Sequence, residues 1–439
     1  MSGFIIINKK IPEYNKSISV SGDKSISIRW VLFSSVANGI SRAQNLLRSE
    51  DVLAAIGAVK KLGIKVQLSK NSCAIYGKGI DGFRYKNNLK INAKNSGTLA
   101  RLILGLLVNS TKTIKIIGDK SLSNRDFERV AEPLSGFGAK FKLKNNKNLP
   151  LLIKGSSDLK PIKYFENRGS AQCKSAVIFA GMRTSGVTTI KAKKSRNHTE
   201  LLCKYLKLPI LIKSKKNYDL ISVKKIKKIK PLNYNIPSDI SSGAFFITLT
   251  ALCSNSKLTI KNININPSRI GIITILRKMG VKIIFQNKKV YKGEKKADVR
   301  IVSPKRLKSI NCPSKLNSGA IDEFLLIFLV AAKAEGISCF KNLSELNEKE
   351  SPRLKWGAKI LKLMGIKTIT TKNSIKIYGN PNLKINKKII IKNYFKDHRV
   401  FMTSVIAALS FGGNWHIHDK DAINTSFPNF LTIINKLKK

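Results

Sequence analysis

A chain of 439 residues is long enough for two or three domains, and an apolar fraction of 43% can build large cores. The chain contains no run of 18 apolar residues, so a membrane span is not predicted. The first ten residues lack the apolar core and the cleavage site of a signal peptide, so we expect a cytoplasmic protein. The formal net charge of +57 comes from lysines dispersed along the whole chain, which excludes a basic tail or a single basic helix as its source.

The stretch 22–29, with the sequence GDKSISIR, predicts a strand end followed by a helix that Asn38-Gly39 closes. Ser25 opens this helix, Arg29 lies one turn later on the same face, and Lys24 lies just before the first turn. A lysine, a hydroxyl group and a guanidinium group beside free helix-start N–H groups form an anion site. An ordinary capped helix with solvated Lys and Arg explains the same residues equally well.

One pattern recurs along the chain roughly every 70–85 residues, which is longer than a solenoid repeat. An amphipathic helical run ends at Gly, which suits a left-handed C-cap, and a strand with one apolar face follows at once. The copies lie at 62–68, 137–143, 279–285 and 364–370, with a degenerate copy at 206–212 whose turn carries Pro209. Further strands are predicted at 113–117, 188–192, 257–263, 338–343 and 389–392. Five units, with room for a sixth near the C-terminus, predict a multi-lobed α+β protein.

Polar residues open several further predicted helices. These starts are 95–98, 123–125, 169–172, 239–242, 321–323, 349–353 (with Ser351 as N-cap and Pro352 first in the helix) and 397–399. Ser, Asp and Asn are common N-caps, which explains the starts without a ligand. Cations in a first turn are disfavoured by the helix dipole, yet five basic residues lie at or near these starts: Arg101, Arg125, Lys174, Arg353 and Arg399. A bound anion would resolve this conflict, although a chain this basic places some cations there by chance.

The cysteine and histidine patterns give no sign of a metal site. The six cysteines stand singly, without CxxC spacing, and predict small buried residues in a reducing compartment. His416 and His418 alternate on one face of a predicted strand, but no third ligand accompanies them.

Taken together and in order, the motifs resemble those of the 5-enolpyruvylshikimate-3-phosphate (EPSP) synthase family, the 3-phosphoshikimate 1-carboxyvinyltransferases. The resemblance covers essentially the whole chain. The matching pieces are GDKSISIR (22–29), NLLRSEDV (45–52), NSGTLAR (95–101), GDKSLSNR (118–125), GSAQ (169–172), SRNHTE (195–200), PSDISSGAFF (237–246), NPSRIG (266–271), IDEF (321–324), AEG (334–336), EKESPR (348–353), DHR (397–399) and SFPNF (426–430).

The resemblance implies an α+β fold of two similar domains, each of three βαβαββ units with parallel helices inside, which agrees with the repeat. It places one domain at 22–238 and a discontinuous second domain at 1–21 together with 239–439, with the active site in the cleft between them. It implies transfer of a carboxyvinyl group from phosphoenolpyruvate to the 5-hydroxyl group of shikimate 3-phosphate, with release of phosphate, in aromatic amino acid biosynthesis. No metal ion or organic cofactor is implied.

The resemblance also assigns roles to individual residues. Shikimate 3-phosphate would bind to Lys24, Ser25, Arg29, Ser170, Ala171, Gln172, Arg196, Asp322 and Lys349. Phosphoenolpyruvate would bind to Lys24, Gly97, Arg125, Gln172, Arg353 and Arg399. Asp322 matches the base near the 5-hydroxyl group, Glu350 matches the acid that protonates the methylene carbon, and Lys24 completes the catalytic set. Viewed alone, Asp322 is more often an N-cap and Glu350 a solvated residue.

Three positions depart from the family pattern. Pro352 stands where the family usually has Asp, and Leu102 stands where it often has Pro. Thr425 stands where many members have Lys, so one phosphoenolpyruvate contact is missing unless Lys420 supplies it.

Two rival functions follow from the same sequence. The enolpyruvyl transferase that acts on UDP-N-acetylglucosamine shares the fold but uses a loop cysteine, and no cysteine here lies in a comparable Arg/Gly-rich loop. A basic nucleic-acid-binding protein would use the charge of +57, but interleaving of basic and aromatic residues is not visible along the chain. We rank compositional drift first as the source of the charge, polyanionic substrates second and nucleic acid third. The expected partners are two small anionic substrates, with no specific nucleic acid, no membrane and a monomeric state.

Overall fold

The computed structural model describes residues 3–69 and 72–438, which contain 14 α-helices, 22 β-strands and three short 3₁₀ helices. The helices are α1 (Lys24–Ser35), α2 (Glu50–Lys61), α3 (Gly97–Leu107), α4 (Lys120–Ser123), α5 (Glu128–Ser135), α6 (Ala171–Gly181), α7 (His198–Tyr205), α8 (Ile240–Leu252), α9 (Gly271–Lys278), α10 (Asn317–Ala320), α11 (Phe324–Lys333), α12 (Arg353–Leu363), α13 (His398–Phe411) and α14 (Phe430–Lys438). The strands are β1 (Ile5–Ile7), β2 (Asn15–Ser19), β3 (Asn38–Gln44), β4 (Lys65–Leu68), β5 (Ser72–Lys78), β6 (Leu89–Asn92), β7 (Ile114–Ile117), β8 (Lys140–Lys144), β9 (Asn148–Lys154), β10 (Lys163–Glu166), β11 (Val187–Lys193), β12 (Ile210–Ser214), β13 (Tyr218–Lys224), β14 (Tyr234–Asn235), β15 (Lys257–Asn264), β16 (Lys282–Tyr291), β17 (Glu294–Val302), β18 (Ile337–Phe340), β19 (Thr368–Thr370), β20 (Ile375–Tyr378), β21 (Lys388–Ile391) and β22 (Asn414–Ile417). The 3₁₀ helices are Ser314–Leu316, Ser344–Glu348 and Lys420–Thr425.

The chain forms two compact units, each with its own hydrophobic core. The N unit comprises Gly22–Ile236 together with Tyr291–Glu294. The C unit comprises Met1–Ser21, Pro237–Val290 and Lys295–Lys439. A chain of this length divides its apolar residues between two cores because a single core stops growing at about 250–300 residues.

The N unit contains three four-stranded sheets of one design. Their strand orders are β14-β3-β5-β4, β6-β7-β9-β8 and β10-β11-β13-β12. In each sheet the first two strands are parallel and the other neighbours are antiparallel. Helices join the parallel strands of the second and third sheets, which gives βαβαββ units. The short strand β14, distant in sequence, completes the first sheet.

The C unit repeats the design with shorter sheets. Its strand orders are β2-β15-β17-β16, β18-β20-β19 and β1-β22-β21. Parallel pairing joins β2 to β15 and β21 to β22. In the middle sheet, isolated parallel bridges join Lys308 to Glu335 and Asn311 to Cys339. They take the place that the first, parallel strand has in the other sheets. The predicted α+β fold of repeated mixed units is confirmed.

Glycines in the left-handed region end the helices of the repeat, as predicted. Gly63, Gly138, Gly280 and Gly365 have φ values of 86°, 103°, 95° and 84°. A strand follows each of them within three residues, beginning at Lys65, Lys140, Lys282 and Thr368. In the degenerate copy Lys207 takes the same conformation, with φ of 54°.

The inner helices have no polar stripe and are surrounded by other elements. Every residue of α8 and α13 is buried, and α11 is buried from Phe324 to Ala332. These three helices pack against one another within the C unit, and α3 packs against α1 and α6 within the N unit. Such helices are stable only where apolar partners cover all sides. None of the helices in the two described ranges is long and apolar enough to cross a membrane.

Close packing of α3 against α6 leads to a stability prediction at Gly105. A Cβ atom there would lie 2.1 Å from the carbonyl oxygen of Ala176, so Gly105→Ala must move two helices apart. We expect a loss of about 1–3 kcal/mol in the free energy of unfolding, measured by urea denaturation. The matched control is Gly57→Ala in α2, where a Cβ atom meets nothing within 4 Å. That change should stabilise by about 0.5–1 kcal/mol, and equal effects at the two sites would contradict the prediction.

Some predicted helix starts are wrong. Helix α1 begins at Lys24 rather than Ser25, because the Asp23 side chain accepts a hydrogen bond from the Ile26 amide at 2.9 Å. The preceding strand β2 ends at Ser19, before Gly22, and Asn38-Gly39 opens β3. The segment 123–125 does not open a helix, because it lies at and beyond the end of the short helix α4.

Candidate functional site

The starts of α3 and α6 in the N unit carry several of the predicted binding residues. Ser96 caps α3 by accepting from the Leu99 amide at 3.3 Å, and Ser170 caps α6 by accepting from the Cys173 amide at 3.2 Å. Gly97 and Ala171 are the first residues of these two helices. The remaining N–H groups of each first turn can therefore donate hydrogen bonds to an anion.

Gln172 connects the starts of α3 and α6. Its Nε2 donates to Thr98 Oγ1 at 3.0 Å, and its Oε1 accepts from Arg101 Nη1 at 2.9 Å. Arg101 also donates to the Asp126 carbonyl oxygen at 2.8 Å and stacks 4.7 Å from the Phe127 ring. Burial lowers the pKa of Arg101 to about 10. Arg101 was noted as a first-turn cation but was not predicted as a site residue.

Two guanidinium groups converge on the start of α3 at Gly97. A Cβ atom on Gly97 would lie 2.9 Å from Arg101 Nη1 and 3.1 Å from Arg125 Nη1. Asn95 holds Arg125 from one side, because its Oδ1 accepts from Nη2 at 3.1 Å. The structure thus brings the predicted residues Gly97, Arg125 and Gln172 together.

Arg29 joins α1, α6 and α7. Its Nε donates to Thr199 Oγ1 at 2.7 Å, and its Nη2 donates to Ser175 Oγ at 3.2 Å. Its Nη1 donates to the Ser25 carbonyl oxygen at 3.1 Å. Lys24 lies near the start of the same helix and pairs with Asp51 at 2.8 Å. Protein groups order both cations of this segment, as an ordinary capped helix would have them, and the anion site stays a prediction.

Arg196 lies just before α7 and is half-buried.

For Lys174, the interpretation that a bound anion neutralises the cation at the helix start is wrong. Its ammonium group is fully buried and lies 2.6 Å from Glu200 of α7, so a protein carboxylate supplies the anion predicted at this start. This buried pair fastens α7 to α6 beside the predicted phosphate-binding turn.

In the C unit, Arg353 at the start of α12 contacts three carboxylates. Its Nε donates to Asp397 Oδ2 at 2.9 Å, its Nη1 donates to Asp322 Oδ1 at 3.2 Å, and its Nη2 pairs with Glu350. Lys349 Nζ lies 3.6 Å from Asp322 Oδ1. The predicted residues Asp322, Lys349, Glu350 and Arg353 are therefore one cluster.

Arg399 joins this cluster from α13. Its Nη1 donates to the Asp322 carbonyl oxygen at 2.6 Å and lies 3.4 Å from Glu323 Oε1. Asp397 caps the same helix by accepting from the Arg399 amide at 2.9 Å. The starts of α11, α12 and α13 consequently meet at one place in the C unit.

The predicted N-cap of α12, Ser351, is wrong by one residue, and Asp322 is not the N-cap of α11, which was the alternative to its role as a base. The N-cap of α11 is Glu323 rather than Asp322, which leaves the Asp322 carboxylate for Arg353. The N-cap of α12 is Pro352, and Ser351 instead donates its hydroxyl proton to Asp397 Oδ2 at 2.8 Å.

Arg353 and Asp397 form an ion pair that is almost completely buried. Burial alone would raise the pKa of Asp397, but the Arg353 guanidinium holds it below its ordinary value of 3.8. Burial opposes charge on Arg353 as well, yet Asp397, Glu350 and Asp322 raise its pKa above the usual range. Both members of the pair are therefore charged at neutral pH.

A second polar network in the C unit was not assigned from the sequence. Arg269 Nη2 donates to Asp239 Oδ1 at 3.3 Å and to Ser241 Oγ at 2.8 Å. Ser241 in turn donates to Glu323 Oε1 at 2.5 Å. The sequence signal for this network is that the pieces 266–271 and 237–246 both resemble family motifs. The resemblance assigns no role to any residue in these two pieces.

No group of three His, Cys, Asp or Glu side chains in the described ranges is arranged to hold a metal ion. His416 and His418 stack on Phe4, with ring centroids 6.2 and 5.6 Å apart. Five of the cysteines are buried and Cys339 is half-buried, and all six are free thiols.

Two clusters thus collect the predicted site residues. The predicted residues that lie in the N unit are called the N-unit cluster: Lys24, Ser25, Arg29, Gly97, Arg125, Ser170, Ala171, Gln172 and Arg196. Arg29 donates to Ser25 of its own helix and to Ser175 of α6, and Gln172 of α6 accepts from Arg101, which lies beside Gly97 and Arg125. The C-unit cluster comprises Asp322, Lys349, Glu350, Arg353 and Arg399.

The chain is similar to known proteins in family, sequence and structure. The family described as EPSP synthase (3-phosphoshikimate 1-carboxyvinyltransferase) matches residues 9–434. A 3-phosphoshikimate 1-carboxyvinyltransferase of Ruthia magnifica is 36% identical over 438 residues, which cover 100% of this chain and 98% of the relative. A relative of the same name from Caldicellulosiruptor bescii is 36% identical over 422 residues, covering 96% of both chains.

Solved structures show the same similarity. The EPSP synthase of Acinetobacter baumannii superposes with a TM-score of 0.87 and 32% identity, covering 100% of this chain and 98% of that one. The enolpyruvyl transferase NikO of Streptomyces tendae superposes with a TM-score of 0.75 and 14% identity, covering 99% and 97% of the two chains. The second similarity concerns the fold alone.

Proposed function

This chain belongs to the EPSP synthase family, and from that premise we propose that it transfers the carboxyvinyl group of phosphoenolpyruvate to the 5-hydroxyl group of shikimate 3-phosphate. Phosphate is the second product, and the reaction serves aromatic amino acid biosynthesis. The observation that carries the proposal is the match over residues 9–434. The two clusters support it, because their residue types suit two anionic substrates and a proton transfer.

Anion binding is assigned mainly to the N-unit cluster. Each substrate carries a carboxylate and a phosphate, and two such anions repel each other strongly where water is excluded. Helix starts and cations offset that repulsion. We assign shikimate 3-phosphate to Lys24, Ser25, Arg29, Ser170, Ala171, Gln172, Arg196, Asp322 and Lys349. We assign phosphoenolpyruvate to Lys24, Gly97, Arg125, Gln172, Arg353 and Arg399.

Proton transfer is assigned to two carboxyl groups of the C-unit cluster. Asp322 accepts the proton of the 5-hydroxyl group while the oxygen of that hydroxyl group forms a bond to C2 of phosphoenolpyruvate. Glu350 in its protonated form gives a proton to C3, which becomes a methyl group. Glu350 and its neighbours then take a proton back from this methyl group, the C2–O bond to phosphate breaks, and the double bond re-forms. The two carboxyl groups thus need opposite protonation states at the start.

Arg353 suits the task of keeping these two groups in place. It contacts both Asp322 and Glu350, while its bond to the buried Asp397 keeps the guanidinium group from turning away. An anion arriving beside Glu350 favours the protonated form of that group, because like charges disfavour each other. Substrate binding would therefore prepare the acid for the reaction.

The wider organisation is part of the same proposal. We propose domains at 22–238 and at 1–21 with 239–439, a cytoplasmic location and a monomeric state. UDP-N-acetylglucosamine is not favoured as a substrate, because the relatives at 36% identity carry the shikimate name.

The direct test is release of inorganic phosphate from phosphoenolpyruvate. Purified protein should release phosphate only when shikimate 3-phosphate is also present, and the carboxyvinyl product should form in equal amount. Replacing shikimate 3-phosphate by UDP-N-acetylglucosamine is the matched control. Release with UDP-N-acetylglucosamine alone, or with neither acceptor, would refute the assigned reaction.

Loss of the Thr199 hydroxyl group should weaken binding of shikimate 3-phosphate. Thr199 Oγ1 accepts from Arg29 Nε at 2.7 Å and lies 2.7 Å from Ser175 Oγ. Thr199→Val keeps the shape but removes the acceptor, so the charged guanidinium group of Arg29 loses a hydrogen bond. We expect the KM for shikimate 3-phosphate to rise about tenfold or more, with kcat little changed.

Two controls separate positioning from packing at Thr199. Thr199→Ser should restore the KM. Thr188→Val makes the same change at a buried hydroxyl group for which the described residues provide no hydrogen-bond partner, and it should have no effect on KM. An unchanged KM in Thr199→Val would show that Thr199 does not position Arg29.

A further inference from the structure

One face of the third sheet of the N unit carries a groove that the proposed reaction does not use. Helices α6 and α7 contact this sheet within the unit. The groove on it, about 420 Å³ in volume, is lined by Lys163, Phe165, Lys191, Leu211, Lys213 and Leu220, and is called here the sheet-face groove. Phe165 is 59% exposed and Leu211 is 56% exposed. Large apolar side chains so open to water on one sheet face commonly mark a binding surface.

Basic and apolar side chains alternate across the strands of this groove. Phe165 lies opposite Lys191, Lys191 opposite Leu220, and Leu220 opposite Lys213. Lys191 Nζ lies 5.4 Å from the centroid of the Phe165 ring and 4.9 Å from that of Tyr218. The interleaving of cations with aromatic rings therefore exists across strands, although it is not visible along the chain.

The charge on this face has one sign. The acidic residues of the four strands are Glu166 and Asp219, which are only 2% and 9% exposed and share their strand faces with buried neighbours. Asp219 is moreover paired with Lys194 at 2.6 Å. Outward-facing charges on these four strands are consequently all lysine ammonium groups, which complement a polyanion.

We propose that the sheet-face groove binds single-stranded nucleic acid without reading its sequence. A polyanion with flat, unpaired bases satisfies both features of the groove, because bases stack on exposed aromatic and apolar side chains while phosphates meet lysines. An acidic peptide would use the charge alone, and a duplex hides its bases from the rings. This activity is additional to carboxyvinyl transfer and does not depend on it.

The experiment is fluorescence anisotropy with a labelled oligouridylate of 12 nucleotides, which forms no base pairs. Lys163→Gln/Lys191→Gln should weaken binding about tenfold or more and reduce the slope of log K against log salt by about 1.4, at about 0.7 per phosphate contact. Phe165→Ala, which leaves every charge in place, should also weaken binding about tenfold. The matched control is Lys90→Gln/Lys115→Gln, an opposed pair of exposed lysines on the neighbouring sheet, with the same loss of charge. It should change the affinity much less.

Any of three results would overturn the proposal, one that concerns charge and two that concern base stacking. One is equal weakening by the two double-lysine variants, which would mean that the net charge of +57 binds anions anywhere on the surface. The others are an unchanged affinity in Phe165→Ala and displacement of the oligonucleotide by polyglutamate of equal charge at equal concentration, either of which would remove base stacking from the interaction. Circular dichroism and phosphate release should be unchanged in all variants, because none of these residues is assigned to the reaction.

Discussion

Replacing Asp322 by Asn should lower turnover about 10²- to 10⁴-fold while leaving the fold intact. Asn keeps the size of the side chain and an oxygen that can accept from Arg353, but it cannot take a proton from the 5-hydroxyl group. The Asp322 side chain is only 16% exposed and lies against Arg353 and Lys349. Bulk water therefore cannot easily act as the base in its place. The measurement is kcat with both substrates saturating.

The interpretation of this variant depends on binding and on a charge control. Titration of shikimate 3-phosphate should show an affinity near that of the wild type, because the asparagine of the variant keeps an oxygen that can accept from the 5-hydroxyl group and the residues assigned to the phosphate lie in the N-unit cluster. Asp421→Asn removes one negative charge from the same unit at an exposed pair with Lys396 and should leave kcat unchanged. Wild-type turnover in Asp322→Asn would exclude Asp322 as the base.

Much of the fold follows from local signals in the sequence. The glycines at 63, 138, 280 and 365 predicted the helix ends, because only glycine adopts their positive φ values without strain. Alternation of apolar residues predicted the strands that follow. The short strand β14 was less accessible to this reasoning, because it pairs with β3 across nearly 200 residues of chain.

The helix starts show why tertiary partners decide local details. Ser351 has the right chemistry for an N-cap, but its hydroxyl group instead donates a hydrogen bond to Asp397, 46 residues away. Asp322 likewise leaves the cap of α11 to Glu323 and turns its carboxylate to Arg353. Cap preferences contribute about 1 kcal/mol, which contacts with a buried guanidinium group can outweigh.

Buried counter-ions were the main omission at the candidate site. The first-turn cations suggested anions from outside, yet Lys174 pairs with Glu200 and Arg353 with Asp397. Neither pair has helical spacing in the sequence, because each joins two different helices. Family motifs could identify the cations, but only the packing of the inner helices reveals which carboxylates neutralise them.

Removal of the Arg353 side chain should cause the largest loss of stability, about 3–5 kcal/mol. Asp397 has no exposed surface, and Arg353→Met leaves its carboxylate buried beside an apolar side chain. The guanidinium group then no longer offsets the desolvation of that charge, and the hydrogen bonds from the Ser351 hydroxyl group and the Arg399 amide remain. Urea denaturation followed by tryptophan fluorescence suits the measurement, because Trp356 and Trp415 are buried in the C unit. Lys396→Met, at an exposed ion pair, should cost less than about 1 kcal/mol.

A double variant and the pH dependence identify the cause of that loss. Arg353→Met/Asp397→Asn should recover part of the stability, because Asn still accepts from the Arg399 amide but carries no charge. In the intact protein the pKa of Asp397 lies below 3.8, so the contribution of the pair is complete above about pH 3.8 and is lost as the pH falls through the lower folded value. In Arg353→Met the guanidinium group no longer opposes the effect of burial, so we expect that pKa to rise above its unfolded value; the folded state then binds more protons than the unfolded one, and stability should fall as the pH rises towards 7. A variant whose stability instead stays constant between pH 4 and 7, or rises over that range, would show that the lost free energy comes from packing around the arginine rather than from the stranded carboxylate.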